Sequence, residues 1–307
     1  MTINRANITK QLIPGLNKVF GLSYGEIDQE HTVLFETENS DRSFEEEVLM
    51  SGLGEAPVKS EGAPVSYDSA EELWTSRYVH ETIALGFAIT EEAMEDNLYD
   101  SFAKIRAKSL GRSMASTKQV KAANVFNTAF STNGGDGVPL FSSAHPTLAA
   151  GNQDNLGSAD LSETALEDAY TDISLFEDDR GILIGAQAKS LHIPPQLRFV
   201  AHKILNSNLS TTVFTVGTDG ATNVNDTNAL KDMGAYRGYF VNHRFTDPDA
   251  WFIKTDVPNS TKHFVRVKLG TKSEGDFDTG NIRFKARERY SFGYSDWRGW
   301  WGSPGAG

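Results

Sequence analysis

Thr90 to Phe130 reads TEEAMEDNLYDSFAKIRAKSLGRSMASTKQVKAANVFNTAF, and this stretch decides the fold. Thr90 stands at an N-cap position, Glu91 and Glu92 fill the first turn, and Met94, Leu98, Phe102 and Ile105 recur at helical spacing. Charge follows the helix dipole. Glu91, Glu92, Glu95, Asp96 and Asp100 come early and Lys104, Arg106, Lys108, Arg112, Lys118 and Lys121 late, with no acid from Ser101 to Gly135. The segment STNGGDG at 131–137 is rich in residues that stop helices. A helix over this whole stretch would span ~60 Å at ~1.5 Å per residue, far beyond the ordinary length. Such a helix acts as an axle on which other elements hang.

On its N-terminal side the first 40 residues are polar and weakly periodic, with Pro14-Gly15 and the small cluster Val33, Leu34, Phe35, and they read as an extended arm. Between Asp41 and Thr90 an acidic strand (Phe44, Glu45, Glu46, Glu47, Val48) and a second strand, YVHETIALGFAI at 78–89, flank a Gly- and Pro-rich turn region. In the second strand Val79, Glu81, Ile83, Leu85 and Phe87 alternate with His80, Thr82, Ala84 and Gly86. A two-stranded ribbon of this kind has almost no core, and another surface must hold it.

On the C-terminal side, Ser162 opens a helix carrying Ala165, Leu166, Ala169, Tyr170 and Ile173, stopped near Gly181. The strand GILIGAQAKSLHIPP ends at Pro194-Pro195, and the Pro pair opens a helix with the stripe Leu197, Val200, Ala201, Ile204, Leu205. A polar loop, GTDGATNVNDTN at 217–228, precedes the strands YRGYFVNHRF and DAWFIKTD. A hairpin, HFVRVKLG with NIRFKARERY, and the Trp-rich end YSDWRGWWGSPGAG complete an α+β chain without internal repeats.

The 307 residues allow a sizeable core, and the charge balance is acidic: Lys+Arg 29 against Asp+Glu 41, net −12. That balance argues against sequence-independent nucleic-acid affinity of the chain as a whole, while leaving room for local basic patches. With no cysteine there are no disulfides, thiolate zinc sites, iron–sulfur ligands or cysteine nucleophiles. The start MTINRANITKQLIPG lacks the apolar core of a signal peptide, and no stretch has the length of a membrane span, so the chain reads as intracellular, water-soluble and without a membrane partner.

Catalytic and ligand motifs fail one at a time. Ser101-Phe-Ala-Lys104 matches S-x-x-K but lacks its companion motifs, and Lys254-Thr-Asp256 is not K-T-G. His31, His80, His145, His192, His202, His243 and His263 show no metal-binding spacing. Asp219, Asn223, Asn225 and Asp226 lack the order and closing Glu of a calcium loop. Gly52-Leu-Gly54 lacks a third glycine, and neither G-x-S-x-G nor a P-loop occurs. No catalytic residue, cofactor or metal is expected. An arm, a coreless ribbon and an overlong helix make sense when neighbouring copies supply the missing surface.

With that architecture, the chain resembles the tailed-bacteriophage major capsid proteins of the Hong Kong 97 fold, nearest the Mu-type head subunits. The residues that carry the likeness are Ile89-Thr-Glu-Glu-Ala-Met94, Gly137-Val-Pro-Leu-Phe-Ser-Ser-Ala-His-Pro146, Leu191-His-Ile-Pro-Pro195, Asp247-Pro-Asp-Ala-Trp-Phe252 and Arg287-Glu-Arg-Tyr-Ser-Phe-Gly-Tyr-Ser-Asp-Trp-Arg298, in that order. The resemblance implies an N-arm (1–40), an E-loop (41–88), a spine helix with the first part of a peripheral domain (89–160) and an axial domain (161–261). It further implies a peripheral hairpin (262–297) and a C-terminal axial segment (298–307). It implies a non-enzymatic virion subunit, assembled in the host cytoplasm into hexamers and pentamers of an icosahedral shell around double-stranded DNA. The implied partners are a separate scaffolding protein, a portal protein and a decoration protein. Relatives that crosslink use an E-loop Lys; Lys59 sits in that loop, but no matching Asn is found. An encapsulin-like nanocompartment and an unrecognised hydrolase are the competing readings.

Charge suggests where copies meet. In the strand from Asn281 to Tyr290, Arg283, Lys285, Arg287 and Arg289 alternate with Ile282, Phe284 and Ala286, which puts the bases on one face. This face can meet acids of a neighbouring subunit, with Glu45, Glu46 and Glu47 the leading candidates, or stand solvated, or touch packaged DNA. Lys59 is a further candidate inter-subunit contact through its loop. Family geometry turns the spine helix toward the shell interior, so the resemblance implies that Lys104, Lys108, Arg112 and Lys118 on the late helix face the lumen, although helix-dipole complementarity by itself accounts for their placement.

Overall fold

The computed structural model describes residues 17–90, 92, 99–149, 151–215, 221–276 and 280–306. The chain divides into two compact units, one built from Met1–Glu45, Tyr78–Ala122 and His263–Phe292, the other from Glu46–Arg77, Ala123–Lys262 and Gly293–Gly307.

In the first unit, helix α1 (residues 17–25) and a helical turn, His31–Leu34, lead to strand β1 (Glu36–Asn39). The expected extended arm is therefore corrected for residues 17–40. Apolar Phe20, Leu34 and Phe35 are buried and give this segment a docking face. The acidic strand β2 (Phe44–Met50) pairs with β3 (Glu72–Val79), whereas β4 (Glu81–Ile89) pairs antiparallel with the late strand β11 (Ile282–Tyr294). The second ribbon strand is thus two strands, broken at buried His80, and only the first belongs to the ribbon. Its position comes from hydrogen bonding: Ser291 Oγ lies 3.0 Å from His80 Nδ1, and His80 Nε2 lies 2.8 Å from Ser40 Oγ. Ser40 Oγ donates onward to Glu45 (2.6 Å), so His80 Nε2 is the donor to Ser40 and Nδ1 the acceptor from Ser291.

The axle is helix α2 (Tyr99–Asn127), which ends just before the expected stop. Met94 and Leu98 lie outside the described residues, and Ile105 is 64% exposed, which corrects the expected stripe. The buried face is instead Ala103, Ala107, Leu110, Met114, Ala115 and Ala122. Small residues win because backbone approaches closely. A Cβ on Gly111 would lie 2.8 Å from the Phe20 carbonyl oxygen and 3.2 Å from the Tyr24 nitrogen, both on α1. Phe20, Leu110, Met114, Ile89, Phe284 and Ala286 form the core of this unit. Strand β11 lies between β4 and β10 (Thr261–Gly275), with β1 at the far edge of the four-stranded sheet.

The second unit follows the sequence reading more closely. Ser162 accepts from the Ala165 N–H and caps α3 (Glu163–Ser174), which buries Ala165, Leu166, Ala169 and Ile173 but ends well before Gly181. Strand β5 (Ala188–Ile193) runs into Pro194-Pro195, and the Pro pair opens a short 3₁₀ turn followed by α4 (Arg198–Asn206). Of the expected α4 stripe only Ala201 is fully buried. The expected polar loop is corrected to part of a hairpin, β6 (Leu209–Thr215) with β7 (Ala221–Thr227), in which backbone pairing supplies what side-chain patterning lacks. Strands β8 (Tyr239–Val241), β9 (Trp251–Thr255) and β12 (Trp300–Ser303) join β5 in the order β12-β9-β5-β8. Phe126, Phe141, Phe252 and Trp300 fill the centre, with Phe126 and Trp300 4.6 Å apart between ring centroids.

Candidate functional site

The four-stranded sheet of the first unit has two unlike faces. On β11, Phe284, Ala286, Glu288 and Tyr290 point inward and are buried, while Arg283, Lys285 and Arg287 are exposed and Arg289 half-buried. The alternation read from sequence holds. On the neighbouring β4 the residues opposite the cations are Ala88 (Arg283), Gly86 (Lys285), Ala84 (Arg287) and Thr82 (Arg289), a row of small side chains. A Cβ on Gly86 would meet the Phe284 carbonyl oxygen at 2.7 Å, so the row is low where it passes Lys285. On β10, His263 stacks on Phe292, Leu269 packs on the core, and Thr271 Oγ1 donates to Asn17, which fixes the odd positions as inward. Arg266, Lys268 and Lys272 then share the outer face with the β11 cations. The alternation of Val265, Val267 and Leu269 with these bases was legible in the sequence and was passed over.

Two of these outer cations have acid partners, Arg283 with Asp276 (2.5 Å) and Arg266 with Asp41 (3.9 Å). Lys268, Lys272, Lys285 and Arg287 form no ion pair among the described residues. Glu288, on the inward side of the same strand as Lys285 and Arg287, is 2% exposed. Lys118 Nζ lies 3.8 Å from it and Tyr24 Oη donates to it at 3.5 Å, while Glu288 Oε1 is buried without a partner. Burial pushes the Glu288 carboxyl above its usual range against the pull of Lys118, and burial lowers the Lys118 ammonium against the pull of Glu288. Both shifts run toward neutrality, so this loose pair is held by the surrounding packing more than by Coulomb attraction.

Beside it, Gln119 Oε1 accepts from the His31 backbone N–H (3.0 Å), so its amide nitrogen donates to His31 Nδ1 at 2.8 Å and the ring is neutral with its proton on Nε2. Burial first, then Lys118, lowers His31 to about 4; burial, Lys118 and His31 lower His263 to about 3. A base whose folded pKa is lowered binds fewer protons folded than unfolded. Its stabilisation is complete above pH 6.5 and is lost as the pH falls toward the folded values. Protection factors against hydrogen exchange at residues 17–35, corrected for the slower intrinsic exchange in acid, should therefore fall between pH 6.5 and 4; pH-independent protection factors there would contradict this assignment.

In the second unit Glu46 pairs with Arg77 at 3.6 Å, and Glu47 is bound by Lys262 and Ser295. With Glu45 already accepting from Ser40 in the first unit, all three acids expected to reach a neighbour have partners in their own chain. Lys59 is exposed, within a segment between β2 and β3 that has no strand or helix. Of the cations expected toward a lumen, Lys104 is exposed, and Lys108 and Arg112 bind Glu26 at 3.4 and 2.8 Å. Lys118 is withdrawn into the Glu288 cluster, where the acid and the Tyr290 ring 5.2 Å away offset only part of the desolvation, and is corrected from a surface position.

The Trp-rich end is a buried polar lock that the sequence did not reveal. Arg298 donates to Asp179 (2.9 Å) and to the Glu177 carbonyl (2.8 Å), and Asp296 lies at 3.5 Å. Trp297 stacks on His145 at 4.3 Å, and Asn155 ties His145, Ser142, Leu140 and Trp300 together. Among the described residues no three His, Asp or Glu side chains could hold a metal ion. Asp219 lies outside those residues, and Asn223, Asn225 and Asp226 lie along the extended strand β7 rather than in a ligand loop. No described helix is long and apolar enough to cross a membrane.

Comparison with solved structures places the fold. A virus-like particle protein from Pyrococcus furiosus matches with TM-score 0.50 and 13% identity, over 94% of this chain and 98% of that one. The procapsid of bacteriophage JBD30 matches with TM-score 0.51 and 14% identity, over 98% and 76%. The capsid of an empty GTA particle matches with TM-score 0.52 and 14% identity, over 92% and 91%. These likenesses show the capsid fold expected from the sequence, of the Hong Kong 97 type. No curated protein matches the sequence. The model of a family described as phage capsid protein matches residues 72–302, most of the chain, and with it the non-enzymatic, structural reading stands: this chain belongs to the phage capsid protein family.

Proposed function

We propose that this protein is the major head subunit, assembling as hexamers and pentamers into an icosahedral shell around double-stranded DNA. The family match over residues 72–302 carries the reading. A separate scaffolding protein, a portal protein and a decoration protein are its proposed partners. Assembly takes place in the host cytoplasm, and DNA is enclosed without sequence recognition, as an acidic chain of net −12 favours.

The division into N-arm (1–40), E-loop (41–88), spine and peripheral domain (89–160 and 262–297) and axial domain (161–261 and 298–307) is proposed with it. The grouping of His263–Phe292 with Tyr78–Ala122, and of the chain end with Ala123–Lys262, supports the return of the hairpin and of the C-terminal segment, whereas residues 123–160 and 46–77 group with the axial residues. Negative-stain microscopy of the purified chain should show closed particles or ring-shaped capsomers. A monodisperse monomer under all conditions would overturn the proposal, and particles holding an enzyme instead of nucleic acid would assign a nanocompartment.

A further inference from the structure

We propose that Arg180 clamps the segment between β2 and β3 onto its own subunit and thereby aims the tip of that segment. The residues concerned all belong to the second unit. Arg180 Nη2 donates to the Ser69 carbonyl at 2.6 Å, and the Asp68 carboxylate lies 3.9 Å from the same nitrogen. On the opposite limb of the loop, Gly52 passes so near the turn carrying Arg180 that a Cβ there would stand 3.2 Å from Asp178 Oδ2. The two limbs are also stitched to each other. The Gly54 N–H donates to the Asp68 carboxylate at 2.8 Å, and the Ser51 N–H donates to the Glu71 carbonyl at 2.9 Å. One grip on Asp68 and Ser69 therefore holds both.

The clamp is mounted on a rigid base. Residues 178–182 form a tight turn in which Asp178 Oδ1 accepts from the N–H groups of Arg180 (2.8 Å) and Ile182 (2.9 Å), and Gly181 takes the positive φ of 85°. Buried Arg298 holds Asp179 and the Glu177 carbonyl, which ties this turn to the core. Nearer the body the ribbon is fixed a first time. Lys262 and Ser295 bind Glu47, and the Trp74 indole N–H donates to the Ser295 carbonyl at 3.3 Å. A ribbon held at one point can swing. Trp74 and Ser69 are separated by up to ~16 Å of extended chain, at ~3.3 Å per residue, and two fixed points that far apart set a direction. The tip stays uncovered while clamped, with Val58 98% and Tyr67 94% exposed, so Arg180 positions it without hiding it. Fixing a loop before contact removes its ordering cost from association, which is what the clamp supplies to a growing shell. That consequence rests on the shell-subunit reading; the clamp itself does not.

The test uses the full chain and reads hydrogen exchange by mass spectrometry, guanidinium unfolding and negative-stain microscopy. Arg180→Gln should keep the wild-type unfolding midpoint, lower protection at residues 51–54 and 67–71 about 10-fold, and spare residues 44–50 and 72–79. Uniform closed particles should fall ~5-fold or more, with open or irregular ones in their place. Arg180→Lys keeps a charged donor for the Ser69 carbonyl and should restore both protection and particles. Unchanged protection in Arg180→Gln overturns the clamp. Lost protection with undiminished uniform particles overturns its role in aiming the tip, and a rise in particle yield does the same by making Arg180 a brake. Should Arg180→Gln shift the midpoint, Asp68→Ala leaves the turn at 178–182 untouched and must lower protection over the same residues; unchanged protection there overturns the clamp as well. If the wild-type chain forms no particles, the shell-subunit reading fails by itself, while exchange still decides the clamp.

Discussion

Replacing Arg298 with Met should destabilise the folded subunit by about 3–5 kcal/mol at neutral pH, the cost of leaving a buried ion pair without its cation. Arg298 is 3% exposed, and its guanidinium is the common partner of the Asp179 carboxylate and the Glu177 carbonyl, with Asp296 at 3.5 Å. Met fills similar volume, so packing is largely kept and the loss is electrostatic. The variant leaves two buried acids facing each other. Burial already holds the Asp296 carboxyl above its usual range despite the neighbouring cation. An acid whose folded pKa is raised binds more protons folded than unfolded, so acidification favours the folded variant. Guanidinium unfolding should show a large deficit against wild type at pH 7 that narrows toward pH 5. A deficit under 1 kcal/mol would mean that solvent reaches the pair, and a pH-independent deficit would make the loss one of packing.

The elements read correctly from the sequence were those whose signal is local. Ser162 capping α3, the Pro pair before α4, and the alternation of β11 follow from single turns or a period of two, and each holds. The long helix was legible from its charge gradient, but its buried face was not. Ile105 carries a strong apolar signal and lies outside, whereas Ala103, Ala107 and Gly111 are silent in any hydrophobicity count and lie where backbone meets backbone. Partner choice was equally hidden. Strand β4 selects β11, nearly two hundred residues away, and nothing in the alternation of Ile83 and Phe87 specifies that rather than a ribbon with β2. The outer cations of the candidate site were half legible, β11 from its period and β10 overlooked. The acids expected to meet them have partners within the chain, which a charge run in sequence does not reveal: Glu47 finds Lys262 across the fold. The burial of Glu288 is hidden for a similar reason, since an acid on a basic strand is buried only because Lys118 and Tyr24 arrive from other elements.

Asn155 is the least conspicuous of these residues, and its replacement by Ala should cost about 3–4 kcal/mol, from two or three buried groups orphaned at ~1–3 kcal/mol each. Its amide nitrogen donates to the carbonyls of Leu140 (2.9 Å) and Trp300 (3.0 Å), and its oxygen accepts from the Ser142 N–H (3.0 Å). The side chain is fully buried, so water cannot substitute without entering the core. The geometry also fixes which end of the amide is which: the nitrogen end faces carbonyl oxygens and the oxygen end faces an N–H. His145 Nε2, 3.1 Å from the same oxygen, must therefore be a donor. Asn155→Asp keeps the shape but turns an acceptor oxygen toward two carbonyls, so it should destabilise at least as much as Asn155→Ala, whereas a loss due to volume alone would spare it. The two unfolding midpoints, measured side by side in guanidinium, decide between these causes: equal or greater loss for Asp assigns the contribution of Asn155 to hydrogen bonding, and a wild-type midpoint for Asp refutes it.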